Sequence, residues 1–358
     1  MKKSNGIISL VILLIVILIS LSGCKERGEV IISNTIIRFD EFPIVDSIVF
    51  SDLFEFLEGV PWAYFPVDSN LILFNEGTGD NYSFLYKYSL TEKALSRGYI
   101  RYGRGPDEAV GAWWAGIYEN TFWVFDLTLR NVLTMDLNEF LANSEQPEIN
   151  QYKHDQQFYR IAFIDSLTFL AVSLTNTDTK LSVVDLNTGE TKEEIGEFGN
   201  IPTNVPLDAF KDACTSYIYR KPGGDKVVLP YRYTDIIEIY DIANQSWITI
   251  QGPEQFNIEY EVGTRFGNNF MVKVEESRKA FQNGAVSDNY IYLLYSGHNH
   301  ASEYWAKGRY IFVYDWDGNP VRKIILDRYV YDFGISNDDK TIYSYDPETG
   351  YVITSDLQ

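Results

Sequence analysis

Two stretches gather side chains able to recognise a ligand. The first runs from Arg101 to Trp114 and carries Arg101, Arg104, Asp107, Glu108, Trp113 and Trp114. Guanidinium groups pair with anions, and indoles stack on a sugar or on a peptide side chain. A structural reading competes and is favoured: Gly103 and Gly105 permit a tight turn, Pro106 fixes it, and the tryptophans enter the core between repeats. The glycines are not a phosphate loop, because no Lys-Ser or Lys-Thr pair follows them. The second stretch runs from Gly297 through His298, Asn299 and His300 to Tyr304, Trp305 and Lys307. On an extended segment His298 and His300 point the same way and could share a metal, although a closed site needs further ligands. A solvated loop is the favoured reading of the pair. The length of the insertion still makes Tyr304 and Trp305 candidates for ligand contact.

Other chemistry finds less support. Hydrolysis of a glycosidic bond needs two carboxyl groups at a defined separation, and among 50 acidic residues no pair stands out. Neither a Gly-x-Ser-x-Gly elbow nor a His-Glu-x-x-His motif occurs. His154 follows a polar run and reads as a surface loop residue. Acidic residues outnumber Lys and Arg by 50 to 30, giving a net charge of −20 and arguing against nucleic acid as a partner. No cofactor is called for beyond a metal shared by His298 and His300. Two cysteines exclude a disulfide framework.

What must position these residues is a repeat. A polar turn followed by an alternating strand recurs at Asn70, Asn120, Ser166, Asp225, Asn289 and Lys340. A strand ending in Asp plus an apolar residue interleaves with it, at Asp136, Asp185, Asp241, Asp315 and Asp356, with Ser89 in the aspartate place of the first unit. The mean period is about 53 residues, in the range of a propeller blade with generous loops. The expectation is therefore an all-β, six-bladed β-propeller with blades of four strands, a to d. The aspartates at the ends of the c strands read as turn formers. The sixth unit ends two residues after Asp356, so its outermost strand must come from elsewhere. The strand-like segment Ile36–Phe50 precedes the first unit, and an N-terminal strand is expected to complete the last blade and close the ring. Helix is expected to be scarce, with at most a short turn or two at Asp136–Ala142 and Val272–Ala280.

At the N-terminus, Lys2 and Lys3 precede an apolar run from Ile7 to Leu21 that ends in Leu21-Ser22-Gly23-Cys24. The run is too short for a spanning helix and fits a secretory leader. Its end resembles the lipobox of bacterial lipoproteins, in which the cysteine thiol takes a diacylglycerol. Residues 1–23 are thus read as a lipoprotein signal peptide, 24–35 as a flexible tether from lipidated Cys24, and 36–358 as the propeller. Cys214 is then a lone thiol, expected to be a small buried hydrophobe.

The run Gly103-Arg104-Gly105-Pro106-Asp107-Glu108, the strand Glu238–Ile242, Gly252-Pro253 and the segment Tyr290–Gly297 together resemble the TolB-like six-bladed propeller lipoproteins of Gram-negative bacteria. The resemblance covers essentially the whole chain after the leader. It implies the propeller fold and a cell-envelope, lipid-anchored location at the outer membrane, on the periplasmic or the outward side. It brings no agreed catalytic residues. The leading functional expectation is a noncatalytic binding or scaffold lipoprotein that meets a peptide, glycan or envelope protein through the 101–114 and 297–307 loops. The alternative is an enzyme with a site in the central channel, either a carbohydrate hydrolase or lyase or a metal-dependent lactonase-like hydrolase. The anchor is testable first. Cys24→Ser should move the protein from the membrane fraction to the soluble fraction, and unchanged membrane retention would contradict lipidation.

Overall fold

The computed structural model describes residues 30–76, 82–142, 145, 147–173 and 177–357. The leader and Cys24 lie outside them. Six sheets form the blades of a ring. Their inner strands, a, are Val60–Val67, Ala112–Tyr118, Phe158–Asp165, Tyr219–Arg220, Phe281–Val286 and Phe333–Ile335. Within each blade consecutive strands pair antiparallel outward from the axis. Strands b and c are buried on both faces because each blade is packed between two neighbours, so they read as nearly unbroken apolar runs. Leu71–Phe74 and Tyr292–Tyr295 are examples.

The c-strand aspartates shape the turns that follow. Asp185 Oδ1 accepts the N–H groups of Asn187 and Thr188, and Asp315 Oδ1 those of Asp317 and Asn319. Asp136 caps the short helix α1, Leu137–Ala142, through the Glu139 N–H. A hydrogen bond from Lys192 and the turn amides lower the Asp185 carboxyl to about 2.

The ring closes through Ser51–Glu55, which pairs antiparallel with the c strand of blade 6, Tyr351–Asp356, in the register Ser51↔Thr354 and Asp52↔Ile353. Phe54 then stacks on Tyr88 of blade 1 at 3.6 Å, fastening the last blade to the first. The expected N-terminal closure is present, but the segment ahead of it, Ile36–Phe50, does other work. Ile37–Arg38 adds a parallel fifth strand to blade 4, and Val45–Ile48 adds one to blade 5. The chain thereby walks round the outside of the ring and covers two edges before completing blade 6. The expected tether also ends early: Ile31 bridges Asn200, and Ile32 is buried against a second helix, α2, Leu207–Ala213.

Three further expectations are corrected. Val272–Ala280 holds no helical turn. Residues up to Lys273 instead belong to a hairpin, Tyr260–Arg265 with Asn268–Lys273, that packs on α2 and raises the rim between blades 4 and 5. Helix α2 itself was not anticipated, being a single buried insert between blades 3 and 4. His154 is not a surface residue. It is buried between blades 2 and 3 against Phe158 and Phe169, beneath Gly189, where a Cβ would come within 2.7 Å of its ring. Burial lowers its pKa. Cys214, at the end of α2, is buried as expected.

Blades 3 and 4 are tied by a buried ion pair. Lys180 Nζ donates to Glu238 Oε1 at 2.7 Å, and Glu238 also accepts from Tyr231 and Thr249. Removing one member strands the other charge. Lys180→Met should destabilise the chain by about 3–5 kcal/mol in denaturant unfolding, whereas Lys180→Met with Glu238→Gln should recover most of that loss.

Candidate functional site

Each inner strand begins at the face of the ring where the d-to-a connections and b-to-c loops gather. Four of the six carry a β-bulge at this level, an extra residue that interrupts the alternation and re-aims a side chain. The register slips between Pro61 and Ala63, Ala112 and Trp114, Phe158 and Arg160, and Phe281 and Asn283. The extra residues are Trp62, Trp113, Tyr159 and Gln282, and all four line one cavity of about 420 Å³ at the channel mouth. The bulge explains how the adjacent Trp113 and Trp114 both reach it, since neighbours on a regular strand face opposite ways.

Arg160 stands among these rings and is only 4% exposed. Its guanidinium carbon lies 4.5 Å from the Trp113 ring centre, 4.6 Å from that of Trp114 and 4.5 Å from that of Tyr159. Nη1 donates to the Tyr159 carbonyl at 3.0 Å, and Nε has no partner. Burial lowers its pKa, yet from so high a starting value that it stays charged. Arg232, from the b-to-c loop of blade 4, donates through Nη1 to the Tyr159 hydroxyl and leaves Nε unpaired. Beside it Lys279, also 4% exposed, lies between Tyr233 and Trp305 at 5.6 and 5.7 Å from their ring centres. Burial, followed by the charges of Arg232, Lys273 and Arg160, pulls Lys279 well below the usual lysine value. The indole N–H groups of Trp62 and Trp113 are buried without an acceptor.

A polar bridge forms the floor. Asn283 accepts from the Tyr219 hydroxyl and donates to the Trp62 carbonyl and to Asp332. Asp332 also accepts the Phe333 N–H at 2.6 Å, and burial raises its pKa well above the carboxylate range. Beyond Asn283 and Trp114, which line both spaces, a second cavity of about 390 Å³ opens on the opposite face. Its walls are mostly apolar, among them Phe65, Ile117 and Ile335.

Of the residues singled out in the sequence, Trp113 and Trp114 line the channel mouth. Arg101, Arg104, Asp107 and Glu108 lie on the outer edge of blade 1, where the Glu108 carboxylate accepts the Gly105 N–H at 2.7 Å and ties its own turn. Trp305 reaches the rim beside Lys279. Tyr304 stacks on Tyr329 at 4.2 Å, away from it. His298 packs on Tyr304 and Tyr329, His300 on Trp305, so different aromatic rings flank the two imidazoles. Among the described residues no group of three His, Cys, Asp or Glu is placed to hold a metal. Arg160, Arg232, Lys279 and Trp62 escaped the sequence reading. The aromatic Trp62, Trp113 and Tyr159 recurring at the same point of three repeats was the available signal.

The sequence profile described as TolB-like 6-blade propeller-like matches residues 38–338. No curated protein matches the chain in sequence. Two solved structures share the fold over nearly their whole length. One is a protein of Bacteroides fragilis described as exported, 12% identical, covering 90% of this chain and 99% of its own, with a TM-score of 0.56. The other is a member of the duf4221 family from Bacteroides vulgatus, 10% identical, covering 89% and 98%, with a TM-score of 0.55. At these identities the likeness is one of fold alone.

The floor can be probed directly. Asn283→Leu leaves the Tyr219 hydroxyl and Asp332 without their amide partner and should cost about 1–3 kcal/mol for each buried group left unpaired, read by urea unfolding. A loss below about 0.5 kcal/mol would mean that the bridge contributes nothing beyond an ordinary surface contact.

Proposed function

Because the chain belongs to the TolB-like 6-blade propeller family, we propose that it is a noncatalytic binding lipoprotein of the cell envelope, with its ligand seated at the channel mouth on the d-to-a face. The observation that carries this reading is the set of four inner-strand bulges that turn Trp62, Trp113, Tyr159 and Gln282 into one cavity. Bulges cost ladder hydrogen bonds, and their repetition at a single level is what a built recognition surface requires. The cavity's size and aromatic walls suit a glycan unit or a peptide group.

Envelope placement draws on the leader and lipobox-like end at Cys24 and on the exported Bacteroides fragilis protein of like fold. No helix among the described residues is long and apolar enough to cross a membrane. The lipid on Cys24 is the proposed attachment, to the outer membrane. Against the hydrolase alternative, the cavity's carboxyl groups are Asp332, which is wholly buried and raised in pKa, and Glu76, which is exposed at the edge. An acid–base pair must have both carboxyl groups open to the scissile bond, and Asp332 is engaged in the floor by Asn283 and the Phe333 N–H.

The test is a titration of the full chain in nonionic detergent with peptidoglycan muropeptides and with di- to tetrasaccharides. A ligand should shift the tryptophan emission, Trp113→Ala should abolish the shift, and mass spectrometry should recover the ligand unchanged. Cleaved products, or an emission shift that survives Trp113→Ala, would contradict the reading.

A further inference from the structure

Several of the buried or half-buried cations among the described residues meet carboxylates, and others, such as Lys87 and Lys211, meet backbone carbonyls. Lys180 is as buried as Arg160 and meets Glu238, Arg278 meets Glu254, and Arg328 meets Asp327 and Asp346. At the channel mouth the carboxylate partners are missing from a whole cluster. Arg160, Arg232, Lys273 and Lys279 gather there in a protein of net charge −20, and among the described residues none of the four is in an ion pair. The nearby carboxyls are engaged elsewhere. Asp332 is held by the Phe333 N–H and Asn283, and Asp212 accepts the Met271 N–H at 2.9 Å. A buried cation without a counter-charge is costly, and the surrounding aromatic faces offset only part of that cost.

The cavity also presents only donors that lack acceptors: Nε of Arg160, Nε of Arg232, and the indole N–H groups of Trp62 and Trp113. An indole N–H and a guanidinium can donate but not accept. The complementary ligand is therefore rich in acceptors and negatively charged at the end that meets the arginines. It also needs an apolar face for the tryptophan walls, which a bare inorganic ion lacks. A chain of phosphates would be repelled by the protein's overall charge before reaching so small an opening.

Building on the ligand-binding reading above, we propose that the channel mouth is an oxyanion site for an acidic sugar, with its carboxylate held between Arg160 and Arg232 and its ring against Trp62 and Trp113. Guanidinium forks match the planar carboxylate, and Lys279 adds a further hydrogen-bond donor at the rim. The sugar's ring and hydroxyl oxygens supply acceptors for the indole N–H groups. The missing counter-charge of the folded protein is the ligand's.

The experiment uses the full chain in nonionic detergent at constant ionic strength, with glucuronate, glucose and inorganic phosphate as probes, read by calorimetry and by thermal unfolding. Glucuronate should bind one to one and raise Tm, with glucose and phosphate each at least tenfold weaker. Arg160→Met should abolish the glucuronate effect while raising Tm without ligand, because it removes an uncompensated buried charge. A purely structural arginine would instead lower Tm on replacement. Lys279→Met, at the rim, should weaken glucuronate about tenfold and serves as the second variant should Arg160→Met fail to fold. Glucose binding as tightly as glucuronate, with Arg160→Met binding both unchanged, would overturn the anion assignment and leave a neutral-ligand cavity. Phosphate matching glucuronate would overturn the sugar part, and failure of all three probes to bind would overturn the proposal.

Discussion

The pairing of Ser51–Glu55 with Tyr351–Asp356 is the constraint on which the rest of the molecule depends. A ring of six sheets converges on an axis only if the last sheet is bound to the first, because an open seam would let the blades splay and expose strand edges. Here the seam is closed by backbone hydrogen bonds within blade 6 and by the Phe54–Tyr88 stack across to blade 1. The inner strands are held at fixed separations as a result, and the residues at their starting ends face one another across a small space. Cohesion between blades comes mainly from aromatic and aliphatic side chains of adjacent b and c strands, with the Lys180–Glu238 pair as a polar tie.

On that rigid frame the channel mouth departs from the rules followed elsewhere. Regular alternation would have sent Trp62, Trp113 and Tyr159 into the gaps between blades. The bulges instead turn them toward the axis, and guanidinium groups occupy the spaces between the rings. Unpaired buried charge and unpaired indole N–H groups oppose folding, and such features persist where surrounding structure over-determines them and function makes use of them. The opposite mouth, walled by Phe65, Ile117 and Ile335, shows no comparable concentration of free donors.

The architecture was readable from the amino acids because its signals are local and repeated. Polar turns, alternating strands and terminal aspartates such as Asp185 and Asp315 act through their immediate neighbours, and six copies make the period plain. The site was readable only in part. Trp113 and Trp114 drew notice as a pair, but a bulge depends on cross-strand register, which no single strand declares. Arg160 looked like one charged residue among many, and its lack of an ion pair, with Asp332 nearby but engaged by Asn283 and the Phe333 N–H, is a fact of three-dimensional packing. Arg104 and Asp107 stood out because of nearby glycines, which serve a turn on the rim of blade 1. His154 was misplaced for a similar reason: its polar sequence neighbours are exposed on an outer strand, while the residue itself turns in beneath Gly189. The route of Ile36–Phe50 along two blade edges could not be inferred, since an edge strand can serve any sheet with a free margin.

A crystal structure of the chain grown with glucuronate tests the central claim most directly. The account predicts density for one sugar ring at the d-to-a mouth, with its carboxylate within hydrogen-bonding distance of both Arg160 and Arg232. A sugar ordered only in the opposite cavity beside Tyr118 and Arg220, or arginines left unliganded at saturating concentration, would contradict it.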